Sequence, residues 1–323
     1  PVIAPVIPAD GEYVLEIADA IYRGRDDFVY RITVGETPFI TGIYPLGGPA
    51  DTQTTVRLTG WNLPTREVTV DAADAAGGVV PISVRAGDAV SNVAPFAVGS
   101  LEEATEREPN DDADNARRVD WPVTVNGRID RPGDRDVYRI EGRAGQTVVL
   151  EVQARRLGSP MDSLVMLTDA SGQPLAANDD HEDKGRGLMT HHADSRLTYT
   201  FNKTGPALVR VSDAQNAGGT DYAYRLRIDR PRPGFDLRAM PANLNVPPGG
   251  VAEVTVHALR RDGFTGDIAL VAKDLPGGFT ASGGRIPAGV DRVRMTLAAP
   301  RPRRGQDAPS GSFALHIEGI ATV

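Results

Sequence analysis

Hydrophobic and polar residues alternate along most of this chain, which is the pattern of β-strands with one buried face. In the segment TVVLEVQA, Val148, Leu150 and Val152 share one face, while Glu151 lies on the opposite, polar face. The same period of two recurs at residues 222–228 and in the last third of the chain, and helical periodicity is almost absent. Short strands separated by glycine and proline predict an all-β chain of tandem β-sandwiches.

An internal repeat links the beginning of the chain to its middle. Gly11–Val34 aligns without a gap to Gly205–Ile228, so that Asp19 aligns with Asp213. The second copy ends a long β-rich segment, whereas almost nothing precedes the first. We therefore expect the chain to begin inside a repeated domain, of which residues 1–35 are the C-terminal fragment, and to be part of a larger modular protein.

Three polar or proline-rich stretches predict the domain boundaries, near Gly35, from Ser100 and around DRPRPGFD. The predicted units are a partial hairpin at 1–35, a small domain at 36–100, a larger domain at 101–231 and a final domain at 232–323. A lone hairpin is marginal in water. We therefore expect that residues preceding it were lost, or that another domain or chain covers it, which would make it a point of association.

Composition excludes several classes of function. The chain has no cysteine, which rules out disulfides, thiolate metal sites and cysteine nucleophiles. Its formal net charge of −8 argues against binding to nucleic acid, which depends on lysine and arginine, and suits divalent cations better. No apolar run approaches the roughly 20 residues that a membrane helix needs.

Two acidic segments form the sharpest chemical signal. The first is TEREPNDD at residues 105–112, and the second is the turn IDRPGDRDVYR, which also contains Asp130. Their candidate metal ligands are Glu106, Glu108, Asn110, Asp111, Asp134 and Asp136. Hard oxygen ligands at alternating positions of an extended segment suit Ca²⁺. A solvated acidic linker with aspartate turn residues explains the same pattern equally well.

A third polar loop, AANDDHEDKGRGLMTHHADS, offers a weaker second cation site. Its candidate ligands are Asn178, Asp179, Asp180 and Asp194, with Asp183 and Ser195 as further members. The histidines of this loop, His181, His191 and His192, have no spacing typical of zinc, so we interpret them as surface residues.

Signals for catalysis are poor. The chain has no nucleophile elbow, no zinc-protease motif, no P-loop and no dinucleotide fingerprint. Ser195, His192 and Asp194 could be combined into a catalytic set, but neighbours on one loop rarely reach the required geometry. We therefore expect no enzymatic activity in this chain.

The segment from Ser100 to Asp229 carries a recognisable order of motifs. EPNDDADNA is followed by VNGRIDRPGDRDVYRIEGRAGQTVVLEVQA, then LGSPMDSLVMLTDASGQPLAANDD, DSRLTYTF and GGTDYAYRLRI. Along its whole length this segment resembles the bacterial pre-peptidase C-terminal domain. That family implies a jelly-roll-like β-sandwich found beside the catalytic domains of secreted proteases and in large bacterial surface proteins.

The same resemblance bears on the acidic segments. Related collagen-binding domains of clostridial collagenases hold calcium with an acidic segment before the first strand. Glu106, Glu108, Asn110 and Asp111 match that segment, and Asp134 and Asp136 fall near the later aspartate ligands. The resemblance therefore implies a structural Ca²⁺. Collagen binding is not implied, because the aromatic surface used there has no clear counterpart.

The flanking regions resemble other β-sandwich families. PFITGIYPLGGPADTQTTVRLTGWNLP, in residues 36–100, resembles an IPT/TIG domain. Residues 232–323 resemble a bacterial Ig-like domain, and residues 1–35 resemble the closing strands of another pre-peptidase-type domain. Similar strings of modules occur in large planctomycete surface proteins.

Together these features predict a non-catalytic, calcium-stabilised region of an exported bacterial protein that acts in spacing, adhesion or assembly. We expect it in a secreted, cell-surface or periplasmic location, with other domains of the same protein or matrix components as partners. Two alternatives remain open. One is an accessory region of a secreted protease or other hydrolase, and the other is a collagen- or polysaccharide-binding module.

Overall fold

A computed structural model describes the protein over residues 2–26, 28–73, 78–181, 193–302 and 311–322. Regular structure there consists of strands and one turn of 3₁₀ helix, which confirms the all-β prediction. Buried apolar side chains form three cores, one for each of three successive sets of sheets.

The first set of sheets lies within residues 39–99. Its strands are β1 Phe39–Tyr44, β2 Gly47–Pro49, β3 Gln53–Trp61, β4 Glu67–Asp71, β5 Gly78–Ile82, β6 Arg85–Ala86, β7 Ala89–Val90 and β8 Ala94–Gly99. Two three-stranded sheets have the orders β1-β3-β4 and β2-β8-β5, and β6 pairs with β7. Phe96 and Val56 are fully buried in the core of this first unit.

The second unit is the largest. Its strands are β9 Glu103–Thr105, β10 Arg117–Arg118, β11 Val123–Arg128, β12 Arg135–Gly142, β13 Thr147–Gln153, β14 Ser163–Asp169, β15 Pro174–Asn178, β16 Arg196–Thr200, β17 Gly205–Asp213 and β18 Ala223–Asp229, with the 3₁₀ turn at Arg155–Leu157. Two five-stranded sheets have the orders β10-β12-β17-β14-β15 and β16-β13-β18-β11-β9. Tyr224, Leu226 and Ile228 are fully buried between the sheets, as predicted, but the opposite face of β18 is not exposed, since Ala223 and Arg225 are buried as well.

The third unit contains a four-stranded and a three-stranded sheet, β19-β20-β24-β22 and β23-β21-β25. The strands are β19 Gly234–Met240, β20 Val251–Arg261, β21 Ile268–Lys273, β22 Thr280–Ser282, β23 Arg285–Ile286, β24 Arg292–Ala298 and β25 His316–Ile320. The strand expected from Phe313 begins only at His316. The Phe313 ring packs edge-on against Phe279, with 5.2 Å between ring centroids.

The hairpin predicted within residues 1–35 is not formed in the described residues, and its membership of another domain stays a prediction. No strand is assigned in residues 2–26 or 28–35, and side chains expected to line one face, such as Leu15 and Tyr30, are exposed. Two strands alone bury too little apolar surface to hold a sheet together.

The first and second units are joined by shared packing. Leu157 and Ala223 of the second unit belong to the core of the first. Thr59 of the first unit donates a hydrogen bond to Asp221 of the second at 2.7 Å. At the junction, the buried Arg225 guanidinium binds both carboxylate oxygens of Glu103, at 2.6 and 3.0 Å. The first and second units are therefore joined by apolar packing, a hydrogen bond and a buried ion pair.

The polar face of β13 is also buried, contrary to the expectation of a half-exposed strand. Glu151 is only 8% exposed and accepts hydrogen bonds from Arg156 at 3.0 Å and from Arg227 at 2.9 Å. The Arg227 guanidinium lies 3.6 Å from the carboxylate of Asp262 in the third unit. Burial alone would raise the pKa of Glu151, but the charges of Arg156 and Arg227 outweigh burial and lower it to about 2.

We predict that this buried ion pair makes stability depend on acid pH. A glutamate has a pKa of about 4.3 when unfolded. Because folding lowers that of Glu151, its contribution is complete above about pH 4.3 and is lost as pH falls toward about 2. Glu151→Gln should therefore unfold more easily at neutral pH and lose less stability across that window. Urea unfolding from pH 7 to 2 measures both effects.

The exposed Glu141→Gln on β12 is the matched control and should follow the parent protein. Parallel pH curves for the parent protein and Glu151→Gln would contradict the assignment.

Candidate metal centre

The predicted acidic segment follows the edge strand β9 and is fixed against the second unit. β9 pairs in parallel with β11, and the pairing continues when the Glu106 N–H donates to the Asn126 carbonyl at 2.9 Å. One carboxylate oxygen of Glu106 accepts the Arg128 N–H at 2.7 Å. Glu106 is therefore held at the end of β11 with its second oxygen, Oε2, still available.

The segment then crosses to the other sheet. The Asn110 carbonyl accepts the N–H of Val137, on β12, at 2.9 Å. The Glu108 carboxylate accepts the Asn110 N–H at 3.1 Å. Residues 106–111 therefore form a strap, so named from here on, across the end of the sandwich where the two sheets meet.

Asp134 and Asp136 face the strap from the start of β12. They alternate with the exposed Arg135, so both side chains point to the same side and are almost completely buried. One oxygen of Asp134 accepts the Asp130 N–H at 2.6 Å, and one oxygen of Asp136 accepts the Tyr224 hydroxyl at 2.5 Å. Each aspartate is thus oriented through one oxygen, and the other oxygen accepts no hydrogen bond.

The structure brings all six predicted ligands to this end of the second unit. Carboxylate oxygens of Glu108, Asp134 and Asp136 lie within 4.8 Å of one another. The buried oxygens without a hydrogen-bond partner are Glu106 Oε2, Asn110 Oδ1, Asp111 Oδ1, Asp134 Oδ1 and Asp136 Oδ1. Over the part of the chain that the structure describes, no other buried side-chain oxygen lacks a partner. An unpaired buried acceptor costs about 1–3 kcal/mol, so this concentration at one point fits a cation site.

Negative charge is crowded at this site. Burial raises the pKa of Glu106 to about 10, and the Asp136 carboxylate adds to the rise. Burial also raises the pKa of Asp136 to about 7, against the lowering effect of hydrogen bonds such as that from Tyr224. Arg131 is the neighbouring cation, 2.9 Å from Asp111 and 3.5 Å from Asp134, but its side chain is 59% exposed.

The ligand chemistry fits Ca²⁺ better than other common ions. Five unpaired oxygens and the Glu108 carboxylate would supply the six to eight hard oxygens that calcium takes in flexible geometry. Zinc prefers nitrogen and sulfur ligands, and no histidine belongs to this group. Magnesium requires near-ideal octahedral geometry and keeps several water ligands.

The first unit also contacts the elements that carry this site. The Arg128 guanidinium lies over the Tyr44 ring, 5.2 Å from its centroid, and pairs with Asp130 on its other side. The Tyr44 hydroxyl donates to the Asn126 carbonyl at 3.4 Å. Burial raises the pKa of Tyr44 to about 12, with Glu106 as the next cause. The charge of Glu106, in the second unit, therefore affects the pKa of Tyr44, in the first unit.

The weaker second site has a different arrangement. Asp194 is buried, and both its oxygens accept N–H groups at the start of the 3₁₀ turn, from Ala154, Arg155 and Arg156. No oxygen of Asp194 is left for an ion, since it anchors the backbone instead. The Asn178 amide oxygen similarly accepts the Arg196 N–H at 2.7 Å.

Other residues of this loop carry local hydrogen bonds. Asp179 accepts the N–H of Asp180 at 2.9 Å. The Ser195 hydroxyl lies 2.8 Å from that of Ser163 and is fully buried. Asp183, His191 and His192 are outside the described residues, so the combination of Ser195 with His192 has no described geometry.

Sequence reasoning missed the groups that support the strap. Tyr224 and Tyr138 join their hydroxyls at 2.6 Å behind Asp136, and both are fully buried. Gly127 allows the strap to approach, since a Cβ there would lie 2.3 Å from the Tyr224 hydroxyl and 2.7 Å from Glu106 Oε2. The repeat, which aligns Tyr30 with Tyr224, was the signal that could have drawn attention to this tyrosine.

Comparison with known proteins gives partial matches. No family model matches the chain. A probable subtilase-type serine protease from Deinococcus radiodurans is 31% identical over 140 residues, which cover 41% of this chain. The matched region spans only 18% of the length of that protease.

A crystal structure of the pre-peptidase C-terminal domain of a collagenase from Bacillus anthracis is also similar. It is 15% identical, with a TM-score of 0.28, and the match covers 38% of this chain and all of that domain.

Among the described residues, no helix is both long and apolar enough to cross a membrane.

We predict that Gly127→Ala destabilises the second unit. The added methyl group would overlap Tyr224 and Glu106, and relieving such overpacking costs about 1–3 kcal/mol. Chemical unfolding followed by circular dichroism measures the loss. Gly277→Ala in the third unit is the control, because no atom lies within 4 Å of a Cβ built there. Equal stability of the two variants would show that the strap does not approach β11 this closely.

Proposed function

We propose that this chain is a non-catalytic, calcium-stabilised modular region of a larger exported bacterial protein. Its second unit would be a pre-peptidase C-terminal-like module, between an IPT/TIG-like and an Ig-like sandwich. The observation that carries the proposal is the convergence of five unpaired, buried oxygens from the strap and the start of β12. Spacing or assembly of larger modules is the work that such a region would do.

In this proposal Ca²⁺ is held by Glu106, Glu108, Asn110, Asp111, Asp134 and Asp136. The ion would supply the positive charge that the crowded carboxylates lack and would tie the strap to β12. The strap follows β9, which itself follows the last strand of the first unit after a short connection. Fixing the strap would therefore also fix the joint at which Tyr44 packs under Arg128.

An exported location would keep such a calcium site filled. Extracellular calcium modules bind with a Kd of about 10⁻⁴–10⁻³ M. Such a site would be filled in a calcium-rich outer compartment and largely empty at low cytosolic calcium. At a hundredfold excess over Kd, binding stabilises the folded state by about 2.7 kcal/mol.

We predict that calcium raises the melting temperature of this chain by several degrees and that EDTA reverses the rise. Asp136→Asn should abolish the calcium-dependent shift, because it removes charge from a fully buried carboxylate ligand. Asp120→Asn is the matched control, since the Asp120 side chain is 96% exposed. Calorimetric titration and thermal melts with and without calcium check this. A shift that survives in Asp136→Asn would place the ion elsewhere, and no shift at about 10 mM calcium, roughly 10 to 100 times the expected Kd, would refute the site.

We also predict that calcium narrows the range of angles between the first and second units. The chain has no cysteine in its sequence, so Arg66→Cys and Gln173→Cys, both at exposed positions directly before a strand, allow specific spin labelling. Calcium should sharpen the distance distribution between the labels, and the same pair in Asp136→Asn should not respond. Identical distance distributions between the labels with calcium and with EDTA would contradict this prediction. They would show that an ion, where it binds, does not change the angle between the first and second units.

A second candidate is an accessory region of a secreted protease. The 31% identity with part of a subtilase-type protease favours it over a collagen- or polysaccharide-binding role. The test is to assay the longer gene product for proteolysis of casein, with and without a serine-protease inhibitor. Inhibitable activity in the longer product, absent from this chain alone, would support the accessory role.

A further inference from the structure

The two copies of the internal repeat form the same turn in the structure. In the second unit, the connection from β17 to β18 begins with the Asn216 N–H donating to the Asp213 carbonyl at 3.1 Å. At the aligned positions near the start of the chain, the Tyr22 N–H donates to the Asp19 carbonyl at 3.0 Å. Asn216 and Tyr22 both have positive φ, 59° and 55°. Such a backbone is uncommon for tyrosine, so its occurrence at the aligned residue is specific.

Further hydrogen bonds of this connection are duplicated. The Ala217 N–H donates to the Asp213 carboxylate at 2.9 Å, and the aligned Arg23 N–H donates to the Asp19 carboxylate at 2.9 Å. The connection ends with the Tyr222 N–H on the Gly219 carbonyl at 3.0 Å. At the aligned positions, the N–H of residue 28 donates to the carbonyl of residue 25, also at 3.0 Å. The first copy therefore has the same turn geometry without the flanking strands.

The side chains on either side of the turn are apolar or aromatic in both copies but differ in burial. In the second unit Val209, Val211, Tyr224 and Leu226 are all 0% exposed. Their aligned partners Leu15, Ile17, Tyr30 and Ile32 are 50%, 48%, 73% and 46% exposed. Large apolar residues at the aligned core positions indicate that this segment also has a core to enter.

A glycine gives a second, independent indication. Gly218 lies against the backbone of the acidic turn, where an added Cβ would be 2.3 Å from the Arg131 carbonyl. Its aligned residue Gly24 has no atom within 4 Å of such a Cβ. At Gly24 the surroundings in this structure would leave room for a side chain. A glycine would be required there if the first copy of the turn packed against an acidic turn like that of the second unit.

We propose that Gly11–Val34 is a strand pair that completes another sandwich of the same kind as the second unit. In the second unit β17 lies between β12 and β14, and β18 lies between β13 and β11. One donated strand would therefore enter the centre of each sheet and gain neighbours on both sides. The partner is a body with equivalents of β9 to β16 that lacks its last two strands. Tyr30 would stand where Tyr224 meets Asp136, behind an acidic site.

The first test is a graft in the full chain, with the sequence Val14–Val34 replacing Leu208–Ile228. Starting at Val14 keeps Tyr13 out of the place of Ala207, which is 2% exposed. We expect one cooperative unfolding transition near that of the parent protein. The control graft carries serine in place of the residues originally at 15, 17, 30 and 32, and it should not fold.

The second test uses peptides, because a graft could fail at its junctions. In the full chain, Leu15→Ser, Ile17→Ser, Tyr30→Ser and Ile32→Ser disable the protein's own first copy, and a Gly/Ser linker replaces Leu208–Ile228. Synthetic peptides of residues 9–36 and 203–230 are then added separately. Co-elution in gel filtration and restored circular dichroism report insertion. We expect both peptides to insert and a scrambled 9–36 peptide not to. A graft no more stable than its serine control, together with no insertion of the 9–36 peptide, would overturn the proposal.

Discussion

Repulsion among carboxylates buried at one end of the second unit is the constraint on which the rest of this structure depends. Each of Glu106, Asp134 and Asp136 uses one oxygen to hold backbone or hydroxyl groups, so that fold and site share the same side chains. The remaining oxygens are buried without a hydrogen-bond partner. Folding therefore creates a region of negative potential that an exposed arginine relieves only in part, and a divalent ion would relieve it without changing the backbone.

Local spacing predicted this site because its ligands are close in sequence. Asp134 and Asp136 alternate on an extended segment, and Glu106 to Asp111 form one stretch, so periodicity alone placed them on common faces. The supporting groups come from distant strands. Tyr224, on β18 of one sheet, reaches Asp136, on β12 of the other, and only the packing of the two sheets brings them together. Long-range packing of this kind has no local signature.

The errors in the fold have the same origin. Alternation in β13 correctly separated two faces, but it did not show that Arg156 and Arg227 would bury the polar face around Glu151. Asp194 was read as an ion ligand because it lies in an acidic loop, whereas its oxygens bind the backbone of a neighbouring turn. An isolated sequence shows which side chains carry charge, but it does not show which donors the fold brings to them.

The segment at residues 11–34 shows which parts of its structure depend on local sequence and which depend on distant sheet neighbours. Its sequence encodes the turn, and the turn forms with the same hydrogen bonds as its copy. Its strands do not form, because two strands alone are marginal in water, whereas β17 and β18 each pair with strands on both sides. The same dependence applies to the strap, whose edge strand β9 is held by β11 alone on one side. A segment with so little sheet pairing needs another anchor, and clustered oxygens bound to one cation would provide it at the point where the first unit is attached.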